Sequence, residues 1–216
     1  TIPTTPVLPP VLPPALPLGA STSFAVVAGS GVTNTGPSVL TGDIGSFPTL
    51  AITGLATLSL TGINQAGGAV SQLAKNDLVT AYDDAAARPA TETIAADLGG
   101  RTLAAGVYRS ASSIGLTGTL TLDGQGDPGA VFVFQAGSTL TTASASQVVL
   151  VNGARSCNVF WQVGSSATLG TGSTLRGNIL AFTSITVTTG VTIDGRVLAR
   201  NGAVTLDSDA ITRPAC

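Results

Sequence analysis

Two stretches near the end of the chain repeat one another eighteen residues apart. Thr174-Leu175-Arg176-Gly177 is matched by Thr192-Ile193-Asp194-Gly195, and Asn178-Ile179-Leu180-Ala181 by Arg196-Val197-Leu198-Ala199. The segments 166–183, 184–201 and 202–212 overlay as successive turns of one pattern, and Val131-Phe132-Val133-Phe134-Gln135 and Val159-Phe160-Trp161-Gln162 begin two longer, looser ones. A repeat of this length, made of three short strands with glycine at the corners, cannot bury its apolar side alone. It has to stack on copies of itself, and that is the signature of a solenoid. The repeat therefore predicts a mainly β fold, a right-handed parallel β-solenoid with three faces.

One strand of each turn is apolar on both sides, which predicts an outward column of Phe132, Phe160, Leu180 and Leu198. A sheet apolar on both faces needs a cover. The period changes to a helical one between Asn64 and Ala87, with Val70, Leu73, Leu78, Ala81, Tyr82 and Ala85 on one stripe, Asn64 as a candidate N-cap and Pro89 beyond the end. A helix over 64–87 would span about 34 Å, the height of about seven coils at about 4.8 Å each. The chain after residue 98 supplies about five coils and residues 24–46 one more. Thr33-Asn34-Thr35-Gly36 resembles the Thr186–Gly190 segment, so the first coil is expected to stack on the last ones, which makes the solenoid discontinuous. The domain is placed at 19–216. Residues 1–18, TIPTTPVLPPVLPPALPL, are too rich in proline to pack as an element. They suit either a polyproline spacer or a disordered stub.

Composition narrows the function. Charged residues are 9 %, hydrophobic residues 44 % and aromatic residues 4 %, with a formal net charge of −2. An ordinary soluble domain carries roughly 25 % charge. Nucleic acid and anionic membrane surfaces both require clustered Lys and Arg, and no apolar run reaches the roughly 18 residues of a membrane span. The acidic residues are scattered singly, whereas polysaccharide-cleaving solenoids need clustered carboxylates. With no His, a Ser or Cys triad of the usual kind is excluded and a zinc site is disfavoured. The Asp123–Asp127 turn lacks the further carboxylates of a calcium loop. The expectation is a non-enzymatic monomer with no cofactor or metal. Thr1 in place of Met fits a processed N-terminus, or cloning. Two cysteines, Cys157 and Cys216, fit one disulfide in an oxidising compartment, with two unpaired thiols as the alternative.

The positive signal is threonine. Thr139, Thr141, Thr168, Thr186, Thr188 and Thr205, joined by Thr33 and Thr35 from the first coil, fall at outward positions of one strand, with Leu140, Leu169, Val187 and Leu206 facing in. The following corner carries Thr171-Gly172-Ser173-Thr174 and Thr189-Gly190-Val191-Thr192. On a solenoid such residues form a grid of about 6.7 by about 4.8 Å. Threonine is stiff at χ1, so the grid can hold water in a fixed layer. Threonine ladders also stabilise solenoids with no ligand at all, and the pattern alone leaves both readings open. Arg176 over Asp194 marks either the edge of the grid or another face.

The run Cys157–Asp207, with Phe24–Gly45, Leu98–Tyr108 and Leu120–Ser144, resembles the widespread microbial ice-binding protein family. The resemblance covers nearly everything from residue 19 to 216. It implies a discontinuous β-solenoid flanked by one helix, secretion, no enzyme activity, and a flat ice-binding face away from the helix that gives recrystallisation inhibition and thermal hysteresis. The family motif Thr-Ala/Gly-X-Thr/Asn maps onto Thr171–Thr174 and Thr189–Thr192. Little or no separate capping subdomain is expected. The proline-rich tail lies outside the resemblance, and it motivates the alternative, a structural or adhesive solenoid at a cell surface.

Overall fold

A computed structural model of the protein describes residues 13–215. Short strands stack in parallel on three faces, and every recorded strand pairing is parallel. One face is a seven-stranded sheet whose order in space is Ile114–Leu116, Leu140–Thr142, Ala167–Leu169, Ile185–Val187, Val204–Leu206, Val32–Asn34 and Ile52–Thr53. The order records the discontinuity. Residues 24–61 make two coils, the chain leaves along the helix, and the later coils wind back until Val204 pairs with Val32 and Val197 with Val26. Seven strands are present on this face, the number of coils expected, although the helix itself is shorter than the span from which that number was drawn. The coil at 43–61 is not among the expected ones, because its strand on this face, Ile52–Thr53, is too short to show alternation.

Inside the coils the apolar residues form one continuous core. Its thickest part is an aromatic stack in register: Tyr108 lies 5.4 Å from Phe134, and Phe134 4.2 Å from Trp161. Phe132 belongs to this core. The expectation that it points outward is corrected by one residue of register, because side chains alternate along a strand. The residues turned out towards the helix are Val107, Val133 and Phe160 in one column, and Leu180, Leu198 and Val27 in the next.

The helix runs from Ala69 to Ala87, so it starts five residues later than the sequence pattern placed it. Gly68 occupies the N-cap without a side-chain bond, while Asn64 Oδ1 accepts from the Ala66 amide in the turn before. At nineteen residues the helix spans about 28 Å. It buries Ala74, Leu78, Ala81, Tyr82 and Ala85. Val70 and Leu73, expected on that stripe, face solvent, and Ser71 and Lys75 are turned in instead. Polar contacts fix the docking. Lys75 Nζ donates to the Ala199 carbonyl at 3.0 Å and to that of Arg200, Tyr82 donates to the Val163 carbonyl at 3.2 Å, and Gln135 Nε2 donates to the Ala85 carbonyl at 2.7 Å. Burial, aided by the nearby Arg200, lowers the Lys75 pKa to about 8.

Leu16 and Leu18, from the end of the proline-rich segment, are buried in the same cluster, and Arg88 donates to the Pro14 carbonyl. Residues 1–12 of the expected tail lie outside the described residues. Residues 62–68 alone join the second coil to the helix, leaving no room there for an inserted subdomain. Cys157 is disulfide-bonded. Cys216, its expected partner, lies outside the described residues.

Candidate functional site

The seven-stranded sheet lies on a face of the coil that the helix does not cover. Four of its strands place two apolar side chains inward around one residue that points out, while Leu140–Thr142 and Val32–Asn34 turn Thr142 and Asn34 inward beside one apolar residue and Ile52–Thr53 supplies only Ile52. Those central residues pair rung by rung: Gly115 with Thr141, Thr141 with Thr168, Thr168 with Thr186, Thr186 with Thr205, Thr205 with Thr33, and Thr33 with Thr53. The result is an unbroken column of six threonines, closed at one end by a glycine. Rungs lie about 4.8 Å apart. No register shift interrupts these pairings, so the column is straight. Thr33, Thr53, Thr141 and Thr168 are exposed, and Thr186 and Thr205 are half-exposed.

The hydroxyls divide the threonines into two groups. In the central column Thr33, Thr141, Thr168, Thr186 and Thr205 make no side-chain hydrogen bond to any described residue, and Thr53 makes a single long one of 3.5 Å to the Val32 carbonyl. Beside the column the hydroxyls bond to the protein. Thr188 donates to the Leu169 carbonyl at 2.7 Å, Thr35 to the Leu206 carbonyl at 3.1 Å, and Thr139 to Ser113 Oγ at 2.9 Å. At the corner Thr171 and Thr188 share a hydrogen bond of 3.3 Å, and Thr189 donates to Asp207 at 2.5 Å. The middle of the face therefore offers water a row of methyl and hydroxyl groups, while its margins are tied down.

Thr174 and Thr192 are not brought onto this sheet. They pair with each other on the third face, in a row that continues through Ala210, Val39 and Ser59. The Arg176–Asp194 ion pair, 2.7 Å long, lies two residues along on that same face. The sequence therefore merged two faces into one site, because the corner between them spans only residues 170–173 in one coil and 188–191 in the next. Thr53 went unnoticed. The one signal for it is that Ile52-Thr53 repeats Val32-Thr33 twenty residues on.

The corner behind the face is held by buried polar groups. Asn34 Nδ2 donates to the Gly36 and Gly54 carbonyls at 2.7 and 3.1 Å, and its Oδ1 accepts from Ser38 Oγ at 2.7 Å. Ser38 Oγ accepts in turn from the Asp209 amide. The Asp209 carboxylate takes the Val191 and Asp207 amides at 2.9 and 2.8 Å. Burial pushes its pKa up to about 7 against the opposing pull of those amides. This chain of bonds crosses the seam where the first coil meets the last.

Among the described residues no group of three or more His, Cys, Asp or Glu could hold a metal ion. A cleft of about 520 Å³ lies away from this face, beside Leu16, Leu18, Phe160 and Arg196. The sequence pattern of the ice-binding-like family matches residues 26–212. The chain belongs to that family. An ice-binding protein of Nostoc sp. (strain HG1) is 52 % identical over 197 residues, which are 90 % of this chain and 73 % of that protein. The crystal structure of an ice binding protein from an Antarctic biological consortium superposes with a TM-score of 0.94 at 44 % identity, covering 98 % of this chain and 97 % of that one. That of an ice-binding protein from the Antarctic ascomycete Antarctomyces psychrotrophicus gives 0.91 at 46 %, covering 94 % of this chain and all of that one. The solenoid with a single flanking helix is thus the family fold, and these relatives are named as ice-binding proteins, not as enzymes.

Proposed function

We propose that this member of the family is a secreted, non-enzymatic protein that adsorbs to ice through the threonine sheet, with Thr33, Thr53, Thr141, Thr168, Thr186 and Thr205 as the contact column. Adsorption of this kind stops ice crystals from growing and recrystallising and produces thermal hysteresis. The observation that carries the proposal is the division of the hydroxyls. A ladder built only for stability would use its hydroxyls within the protein, as Thr188, Thr35 and Thr139 do. The central column leaves its own free for water.

The physical case rests on preorganisation. Each threonine is β-branched, holds one rotamer on its strand and sits on a backbone fixed by the ladder. Water bound between such groups is ordered before any crystal arrives, so little entropy remains to be lost on adsorption. The central column carries no charge that would orient water against a lattice. The disulfide at Cys157 suits an oxidising, extracellular compartment. No cofactor is required.

Ice-affinity partitioning tests the proposal. The purified protein should concentrate in a slowly grown ice hemisphere, and Thr186→Tyr should stay in the liquid. Exclusion of the folded parent protein from the ice would overturn it.

A further inference from the structure

The two ends of the solenoid differ. At the end formed by residues 92–103, the last core residues Ile94, Leu98 and Leu103 are buried, and the segment carries Glu92, Asp97 and Arg101, with Arg101 donating to Glu92 at 2.6 Å. At the opposite end the core is open. Ile52 and Leu60 pair in register with the fully buried Val32 and Leu40, yet they and Leu58 are only half-buried, because no coil follows them. The terminal strands Ile52–Thr53 and Leu58–Thr61 are hydrogen-bonded on one side only. Around them stand Leu50, Leu55 and Ile63, exposed by 63, 43 and 60 %. Residues 44–74 carry no charged side chain at all.

A solenoid end normally has a polar cap, and an open edge beside an apolar patch invites pairing. Nothing in the described chain covers this end. The described end of the proline-rich segment, residues 13–18, lies away from it, with Pro14 beside Arg88 at the far end of the helix. A charge-free surface has no electrostatic match in a charged partner. Its match is another charge-free apolar surface, and a second copy of this chain presents one. We infer that the end formed by residues 50–63 is a self-association surface, on which two copies meet end to end about a twofold axis. Like edges then meet antiparallel, as an isologous contact requires. Thr53 is the terminal rung of the threonine column, so the two columns would approach one another at the junction. This departs from the monomer expected from the sequence, and it does not depend on the ice-binding proposal.

Sedimentation velocity over a wide concentration range tests it, on the full chain and on a Leu50→Lys, Ile63→Lys double variant. Both side chains are largely exposed, so the variant should keep the parent's circular dichroism and melting temperature when dilute. The expected result is a mass that doubles with concentration for the parent and stays at one chain for the variant. Hydrogen exchange should show new protection at the amides of residues 52–61 in the dimer. A parent that remains at one-chain mass throughout would overturn the inference. So would a variant that associates as strongly as the parent, since the contact would then lie elsewhere.

Discussion

The helix-covered face and the threonine face are built from the same coils, with the same parallel pairing and rung spacing. They differ in what the outward positions carry. On one, Val133, Phe160, Leu180 and Leu198 point out and are buried under Leu78, Ala81 and Tyr82. On the other, Thr141, Thr168, Thr186 and Thr205 point out and stay in water. The backbone is indifferent to the choice. A methyl-rich outward column has to be covered, and the covering gains roughly 25 cal/mol for each Å² of apolar surface removed from water. A threonine column can be left bare because its hydroxyls remain solvated. The comparison therefore assigns stability to one face and binding to the other, and substitutions should separate the two.

The largest expected effect is on binding. Thr186→Tyr puts a bulky ring in the middle of the column and breaks the flat grid. Hysteresis and ice partitioning should be almost lost, while stability changes by no more than about 0.5 kcal/mol, the usual range for a surface position. Thr192→Tyr, one face away, should cost much less activity. Equal losses from both would mean that the two faces do not divide the work as argued. Next comes the converse on the helix side. Phe160→Ala opens a cavity between helix and solenoid and should cost about 3–5 kcal/mol, read as a lower denaturant midpoint. The protein that remains folded in the cold should still partition into ice.

Much of this contrast was legible in the sequence, for a physical reason. Alternation exposes the side of a strand wherever the strand is three residues or longer, so the threonine column, the inward Leu140, Leu169, Val187 and Leu206, and the need for a helical cover all followed from spacing. Reading failed where a side chain's direction depends on a corner. Thr174 and Thr192 group with Thr171 and Thr189 in the sequence because four residues of turn leave no trace of the change of face. The direction of Phe132 is not legible because Val131-Phe132-Val133-Phe134 is apolar on both sides, and alternation has no phase to detect in such a run. The helix began late because Gly67 and Gly68 intervene, and Asn64 caps a turn there instead. The end coil was missed because Ile52–Thr53 is only two residues long.

A finer test separates the column from its margin by one atom. Valine replaces threonine's hydroxyl with a methyl and keeps its shape and stiffness. Thr188→Val removes the 2.7 Å bond to the Leu169 carbonyl and should lower stability by about 1 kcal/mol, the net worth of one such bond. Thr168→Val removes a hydroxyl with no protein partner, so the melting temperature should hold and ice-recrystallisation inhibition should fall. Full activity in Thr168→Val would show that the methyls, and not the hydroxyls, do the binding.

The smallest effect concerns Lys75, which pins the helix to the carbonyls of Ala199 and Arg200 on the covered face. Its pKa is lowered from 10.5 to about 8, chiefly by burial. Between those values the unfolded chain holds more protons than the folded one, so stability should rise with pH through the window and lie at its lower plateau below about pH 8. The other perturbed groups that titrate nearby stay clear of the lower part of that range; Arg196, lowered by burial from 12.5 to about 10, adds to the rise only towards its upper end. Protonated Asp209 contributes stability that is fully present below the ordinary carboxylate range and lost as pH rises through about 7. Tyr82 and Tyr108, raised by burial, oppose the trend only near and above the usual tyrosine value of about 10. From pH 8 to about 9.5 the slope therefore belongs to Lys75, and only part of its shift is sampled there, which keeps the change modest. Denaturant midpoints across that interval should climb for the parent and stay flat for Lys75→Met. Ice partitioning should be indifferent to both, because the titrating group sits on the face that carries stability; a matching pH dependence in ice affinity would mean that the two faces are coupled through the coil.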